Sequence, residues 1–210
     1  MNLLVLGPQG SGKGTQGARV QAEYAIPHIA TGDMFRAAIA ARTPLGRKVE
    51  PILASGQLVP DEITVALIGE RLGQEDARDG FVLDGFPRNL AQAEALDALL
   101  GHIGRGLDAI LYFDVPDEVG FDRALKRAAE EGRPDDTPEV IRERLRIYHE
   151  ETEPIVEHYR ATGKVQAESA TNPSRVTPTS TERTSPSWSL RRPGIPCTTI
   201  AFGERQVAAG

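Results

Sequence analysis

Short apolar runs separated by amphipathic stretches set the rhythm of this chain. Leu3–Leu6, His28–Ala30, Phe81–Leu83 and Ala109–Phe113 are brief and largely unbroken by charge. Each predicts a strand of a parallel sheet that is covered on both faces. The segments between them follow a helical period, so the chain predicts βα units and an α/β fold with helices on both sides of the sheet.

The pattern departs from simple alternation in three places. Between the second and third runs the sequence is helical throughout and too long for one crossover, which predicts a small helical lobe over about 31–60; Thr43 and Pro44 read as an N-cap and first helical residue. Farther on, Thr137 or Asp136 caps a helix beginning near Pro138, with Ile141, Leu145, Tyr148, Thr152, Ile155 and Tyr159 on one stripe and a kink expected at Pro154. At about Gln166 the character changes to Ser, Thr and Pro without sustained period, so 1–165 is read as the folded domain and 166–210 as a disordered tail carrying Trp188 and Cys197.

Composition narrows the function classes. The length of 210 residues suits one domain with a small inserted subdomain. Lys and Arg number 24 against 30 Asp and Glu, a net charge of -6, so nucleic acid is not bound by bulk electrostatics and the arginines must act locally. A single cysteine leaves no disulfide framework and no cysteine zinc site, and no structural zinc is expected. His28, His102, His149 and His158 have no ligand spacing and read as structural or surface residues. The amino terminus lacks the basic flank of a signal peptide, and no apolar run approaches membrane-spanning length; a cytoplasmic protein without a membrane partner is expected.

The first apolar run leads into Gly7-Pro8-Gln9-Gly10-Ser11-Gly12-Lys13-Gly14-Thr15. A strand that ends in glycines and opens into a helix aims backbone N–H groups at an anion, and Lys13 adds a point charge near terminal phosphates. The generic pattern places Ser or Thr directly after the lysine as a magnesium ligand. Here Gly14 takes that place, so Mg2+ is expected to rest on Thr15, Asp84, phosphate and water, with Asp84 at the end of the third run reaching the metal through water.

Phosphoryl transfer requires two mutually repelling phosphate groups to be aligned and neutralised in one cleft. Arg36 follows the second run, Arg88 the third, Arg123 and Arg127 lie one helical turn apart, and Arg133 and Arg144 flank Asp135-Asp136. Guanidinium forks suit this task because they bind phosphate bidentately and stay charged. Asp135 and Asp136 are read as a helix cap that also orients Arg133 and Arg144.

The Gly-Lys-Gly-Thr form followed by Gln16 resembles the phosphate loop of adenylate kinases and related nucleoside-monophosphate kinases. Four further blocks agree in order: His28–Arg36, Gly56–Glu62, Phe81–Asn89 with Gln92, and Gly132–Asp136 with Arg144. The resemblance covers residues 1 to about 165 and implies a P-loop-type parallel sheet, a helical AMP-binding lobe and a lid at about 127–137. Five residues between Arg127 and Arg133 make it the short-lid kind. The activity it implies is reversible Mg2+-dependent transfer from ATP to AMP giving two ADP, by a monomer. Lys13, Arg88, Arg127, Arg133 and Arg144 would be catalytic. ATP would lie on Gly10, Ser11, Gly12, Lys13, Gly14, Thr15 and Arg127, with Arg123 stacked on its adenine. AMP would lie on Thr31, Gly32, Arg36, Gln57, Leu58, Val59, Gly85, Arg88, Gln92, Arg133 and Arg144.

Two alternatives stay open at this point. A UMP/CMP kinase also has a short lid, although a Gln92 amide suits adenine, which offers a donor at N6 and an acceptor at N1 or N7. A nucleotide-binding protein with impaired turnover is the other, because the last strand, adenine-side loop and closing helix of the family are not recognisable after 165. The abrupt change there is consistent with a shifted reading frame or with a natural disordered extension.

Overall fold

A computed structural model of the protein describes residues 1–169. Strands β1 (Asn2–Leu6), β2 (His28–Ala30), β3 (Phe81–Asp84), β4 (Ala109–Asp114) and β5 (Val165–Ser169) form one parallel sheet in the order β2-β3-β1-β4-β5. The alternate side chains of these strands explain why the runs carry no polar period. Leu4, Leu6, Leu83 and Ile110 face one side of the sheet, and Leu3, Val5, Val82 and Phe113 face the other; all are buried.

Helices α1 (Lys13–Tyr24), α2 (Thr31–Ala40), α3 (Pro44–Ala54), α4 (Asp61–Leu72), α5 (Leu90–His102), α6 (Asp117–Glu131), α7 (Pro138–Ile147) and α8 (Pro154–Arg160) complete the described fold. Ile68 of α4, Leu96 and Leu100 of α5, and Ile155 and Tyr159 of α8 close over the first side, while Val20 of α1 covers the second. The predicted helical stretch after β2 holds its own apolar cluster of Phe35, Val49, Leu53 and Val59. Thr43 caps α3 as the sequence predicts, its hydroxyl accepting the Gly46 N–H at 2.9 Å.

The stripe expected after Pro138 is buried along its length, from Ile141 to Tyr159. Its break begins before the proline. Tyr148–Thr152 is a π-helical turn and α8 restarts at Pro154, whose missing N–H breaks the α-helical ladder at that point.

The carboxyl end corrects the sequence reading. Val165–Ser169 is a strand, paired with β4 from Ile110↔Val165 to Asp114↔Ser169, so ordered structure passes the expected boundary and a last strand is present. A strand with one neighbour among the described residues needs only the ladder that this neighbour offers, and its own sequence can lack a clear apolar period. The disorder expected for the tail, with Trp188 and Cys197, lies outside the described residues.

Parallel pairing fixes where chemistry can gather. Val5 lies opposite Asp84 and Leu6 opposite Tyr112, so β1, β3 and β4 end at one edge of the sheet, where their loops converge.

Candidate active site

The loop after β1 is shaped by close approaches. A Cβ on Gly10 would collide with the Gly120 carbonyl, so the loop sits directly against α6 only because that residue is glycine. Gly12, at φ 93°, is the N-cap of α1; it supplies no side-chain cap, and the first turn carries no acidic residue. The amide end of α1 therefore retains its positive potential and opens toward the loop. Ser11 is the exception among the predicted ATP-side residues: its buried hydroxyl turns into the loop, in reach of Lys13 at 3.4 Å, and does not line the cleft.

Lys13 curls over this loop, donating from Nζ to the carbonyls of Gly7 at 2.6 Å and Pro8 at 2.7 Å. Burial lowers its pKa to about 8; Asp84 opposes that shift, and Arg88 and Arg127 add to it. Asp84 ends β3 beside the loop, 9% exposed, with Oδ2 3.3 Å from His28 Nε2. Burial alone would raise its pKa, but the His28 hydrogen bond and the Lys13 charge outweigh it, and the carboxyl titrates below its ordinary range. A Cβ on Gly14 would lie 3.9 Å from Asp84 Oδ2, so the carboxylate faces the start of α1. Thr15, the other residue expected to bear on Mg2+, lines the same cleft as Asp84.

All six predicted arginines line one cleft of ≈ 730 Å³, together with Lys13, Asp84 and Thr15. Four of them are held by carboxylates. Arg36 pairs with Asp33 at 2.5 Å and Asp135 at 3.6 Å, and Arg133 with Glu131 at 2.6 Å and Asp33 at 3.8 Å. Arg127 donates to Asp136 Oδ2 at 2.8 Å, and Arg144 bonds Asp136 Oδ1 and, at 2.9 Å, Asp135 Oδ2. Arg123 reaches the Gly10 carbonyl at 3.5 Å.

Arg88 differs from these four. Its Nε donates to the Gly85 carbonyl at 2.8 Å, and no ion pair to it occurs among the described residues. Burial lowers its pKa to about 10, with the Arg144 and Arg36 charges acting the same way and Asp84 opposing. Arg127 carries a related feature, a buried Nε without a hydrogen-bond partner. Both are cationic donors with capacity left for an anion.

The pairings bear out Asp135-Asp136 as partners of Arg144 and correct the rest of their reading. Thr137 caps α7, accepting the Val140 N–H at 3.4 Å, which leaves both carboxylates free to pair with arginines that line the cleft. They hold Arg36, Arg127 and Arg144, whereas Arg133 is held by Glu131 and Asp33.

Thr31, Gly32, Gln57, Leu58, Val59, Gly85 and Gln92 line the same cleft. Gln92 is 1% exposed, and its amide is oriented from both ends: Oε1 accepts the Arg88 N–H at 2.8 Å and Nε2 donates to Asp61 Oδ1 at 2.6 Å. Asn89 caps α5 through the Gln92 N–H at 2.8 Å and donates to the same Asp61 at 3.1 Å.

Gln9, His28, Tyr148 and Thr152 also line the cleft but do not stand out as site residues in the sequence. His28 reaches Asp84 through the β2–β3 register, and Thr152 reaches the Arg88 carbonyl, at 2.7 Å, across 64 positions. Neither relation leaves a local sequence signal. A second hollow, ≈ 860 Å³, lies between Leu72, Leu99, Ile103 and Arg105 and contains none of the predicted residues.

Comparison with known proteins agrees with this geometry. The family model described as adenylate kinase matches residues 5–164. The adenylate kinase of Xanthomonas campestris pv. campestris (strain 8004) is 51% identical over 165 residues, which span 79% of this chain and 88% of that protein. The adenylate kinase of Methylobacterium nodulans is 50% identical over 169 residues, 78% of this chain and 85% of that one. These matches favour adenylate kinase over the uridylate and cytidylate alternative. Cleft, fold and relatives agree, and the chain belongs to the adenylate kinase family, whose members are phosphotransferases acting on ATP and AMP.

Proposed function

We propose that the cleft at the carboxyl edge of the sheet transfers the terminal phosphoryl group of ATP to AMP, giving two ADP, through the residues read from the sequence. The observation that carries this assignment is the convergence of Lys13 and six arginines on one cleft of a chain whose net charge is -6. In the empty cleft carboxylates hold four of these arginines, and entering polyanions take over part of that pairing.

ATP phosphates rest on the amides of Gly10–Thr15 and on Lys13, with Arg123 beside the adenine. AMP enters between Thr31, Gly32, Arg36, Gln57, Leu58, Val59 and Gly85, its phosphate facing Arg88 and Arg144. Gln92 reads the base: with one N–H given to Asp61 and one lone pair to Arg88, it keeps one donor and one acceptor, the pair that an adenine edge complements.

Chemistry in this site is alignment and charge stabilisation, because the transition state spreads charge over phosphoryl oxygens and asks for no covalent help from the protein. Arg88, Arg127, Arg133 and Arg144 surround the position between the two phosphate groups. Arg88 needs no carboxylate exchanged to act, while the others give up part of a carboxylate pair as phosphate arrives. Asp84 and Thr15 would hold Mg2+ beside the phosphate loop; when bound with ATP, the ion supplies charge neutralisation of the transferring group. No group of three or more His, Cys, Asp or Glu able to hold a metal occurs among the described residues, so most ligands of that ion come from phosphate and water. We assign the working enzyme to the cytoplasm as a monomer that maintains adenine nucleotide balance.

The deciding experiment measures ADP formation from ATP with AMP, CMP, UMP or GMP as acceptor. AMP is expected to be preferred strongly. Equal use of UMP or CMP would overturn the assignment of the base site, and no turnover with any acceptor would mean that the cleft binds without transferring.

A further inference from the structure

Gln9 belongs to the phosphate loop, yet its strongest contact lies across the cleft. The side chain of Asp136 is 0% exposed and takes donors from three elements: Gln9 Nε2 at 2.9 Å, Arg127 of α6 at 2.8 Å, and Arg144 of α7. The carboxylate is therefore a junction where the loop meets Arg127 of α6 and Arg144 of α7. Gln9 Oε1 is buried and has no hydrogen-bond partner, so the amide is held by the Asp136 bond at the expense of its own carbonyl. Buried carbonyls left unpaired are rare and costly, which argues against simple packing as the reason for a glutamine here.

From this we infer that Gln9 is a positioning residue for phosphoryl transfer: by holding Asp136 against the phosphate loop, it sets Arg127 and Arg144 in register with Lys13. Asp136 takes one edge of the Arg127 guanidinium and leaves the buried Nε unpaired and available to a phosphate oxygen. Without Gln9, Asp136 follows the lid alone, and the arginines lose their fixed distance from the loop. That distance matters only when both phosphate groups are in place, so the loss falls on turnover and not on binding of either nucleotide.

The inference rests on assigning Arg127 and Arg144 to the phosphates, and Arg127→Ala separates the two claims. If Arg127→Ala keeps normal turnover, the site reading fails. If it loses turnover while Gln9→Met keeps it, only the role of Gln9 fails.

In the full chain, Gln9→Met keeps the length of the side chain and removes the donor. The expected result is a kcat lower by about tenfold, with KM for ATP and AMP each within about twofold and the melting temperature unchanged. In an Asp136→Asn background the same change should cost less than about twofold more, because the junction is already altered. Gln9→Glu supplies a second test that survives any folding defect of the methionine variant. A protonated carboxyl at this position can donate to Asp136 and an ionised one repels it, so the kcat of Gln9→Glu relative to the unmodified protein should rise as pH falls from about 8 to about 6. A kcat for Gln9→Met within about twofold of normal, full additivity with Asp136→Asn, or a Gln9→Glu ratio independent of pH would each overturn the inference.

Discussion

Nε2 of Gln92 lies 2.6 Å from Oδ1 of Asp61, a residue 31 positions earlier that begins α4. The bond fixes which end of a buried amide faces the cleft. Gln92→Leu would leave both an adenine edge and Asp61 short of a partner, and an unpaired buried polar group costs about 1–3 kcal/mol. AMP affinity is expected to fall by roughly ten- to a hundredfold, with ATP affinity almost unchanged. Calorimetric titration of each nucleotide alone checks this; a loss confined to ATP would mean that the two nucleotide sites are assigned the wrong way round.

Arg88 joins function to instability. It is half-buried beside the Arg144 and Arg36 charges with no ion pair among the described residues, so the empty protein carries a cost that Asp84 offsets only in part and that phosphate removes. Arg88→Met should lower turnover by roughly a hundred- to a thousandfold, while the melting temperature of the nucleotide-free protein stays the same or rises. A variant that is both inactive and markedly less stable would mark Arg88 as a packing residue.

Lys13 makes a pH-dependent prediction. Its pKa in the empty fold is about 8, below the ordinary 10.5, so between those values the unfolded chain binds more protons than the folded one. Stability contributed through this group therefore rises with pH across that window, as the buried charge is released. Binding of ATP phosphates favours the charged form and reverses the shift. Near pH 8, binding should take up roughly half a proton, seen as a dependence of the calorimetric heat on buffer ionisation enthalpy. Heats around that pH that are independent of buffer would contradict this account of Lys13.

The fifth strand can be tested by where the chain is ended. A protein stopped after Lys164 loses the whole β4–β5 ladder, including the Ile110↔Val165 pair at the core edge, whereas one stopped after Ser169 keeps it. The shorter protein should be less stable by about 2 kcal/mol, a fall in melting temperature of roughly 4–8 °C. Equal melting temperatures would show that β5 contributes nothing to the sheet.

Much of the molecule is legible in one dimension because its signals are local. The four apolar runs, the Thr43-Pro44 cap and the loop Gly7–Thr15 depend on neighbours a few residues away, and all appear where the pattern places them. The strand at Val165–Ser169 is not legible, since its pairing is dictated by β4 and not by its own sequence. Asp135 and Asp136 are legible only in part: their hold on Arg144 is as expected, but the cap falls to Thr137, and Arg36 and Arg127 take the place of Arg133 because the fold brings them there.

The amino-acid sequence by itself determined the elements and the stock of cations and carboxylates, because periodicity, capping and glycine spacing act over a few residues. Tertiary structure alone decided that Arg36 and Arg127 join Arg144 on Asp135-Asp136, that Arg88 has no such partner among the described residues, and that Gln9 meets Asp136 across 127 positions. Pairing of that kind depends on distances between charges, and those distances exist only once the parallel register and the packing of α6 and α7 have set them.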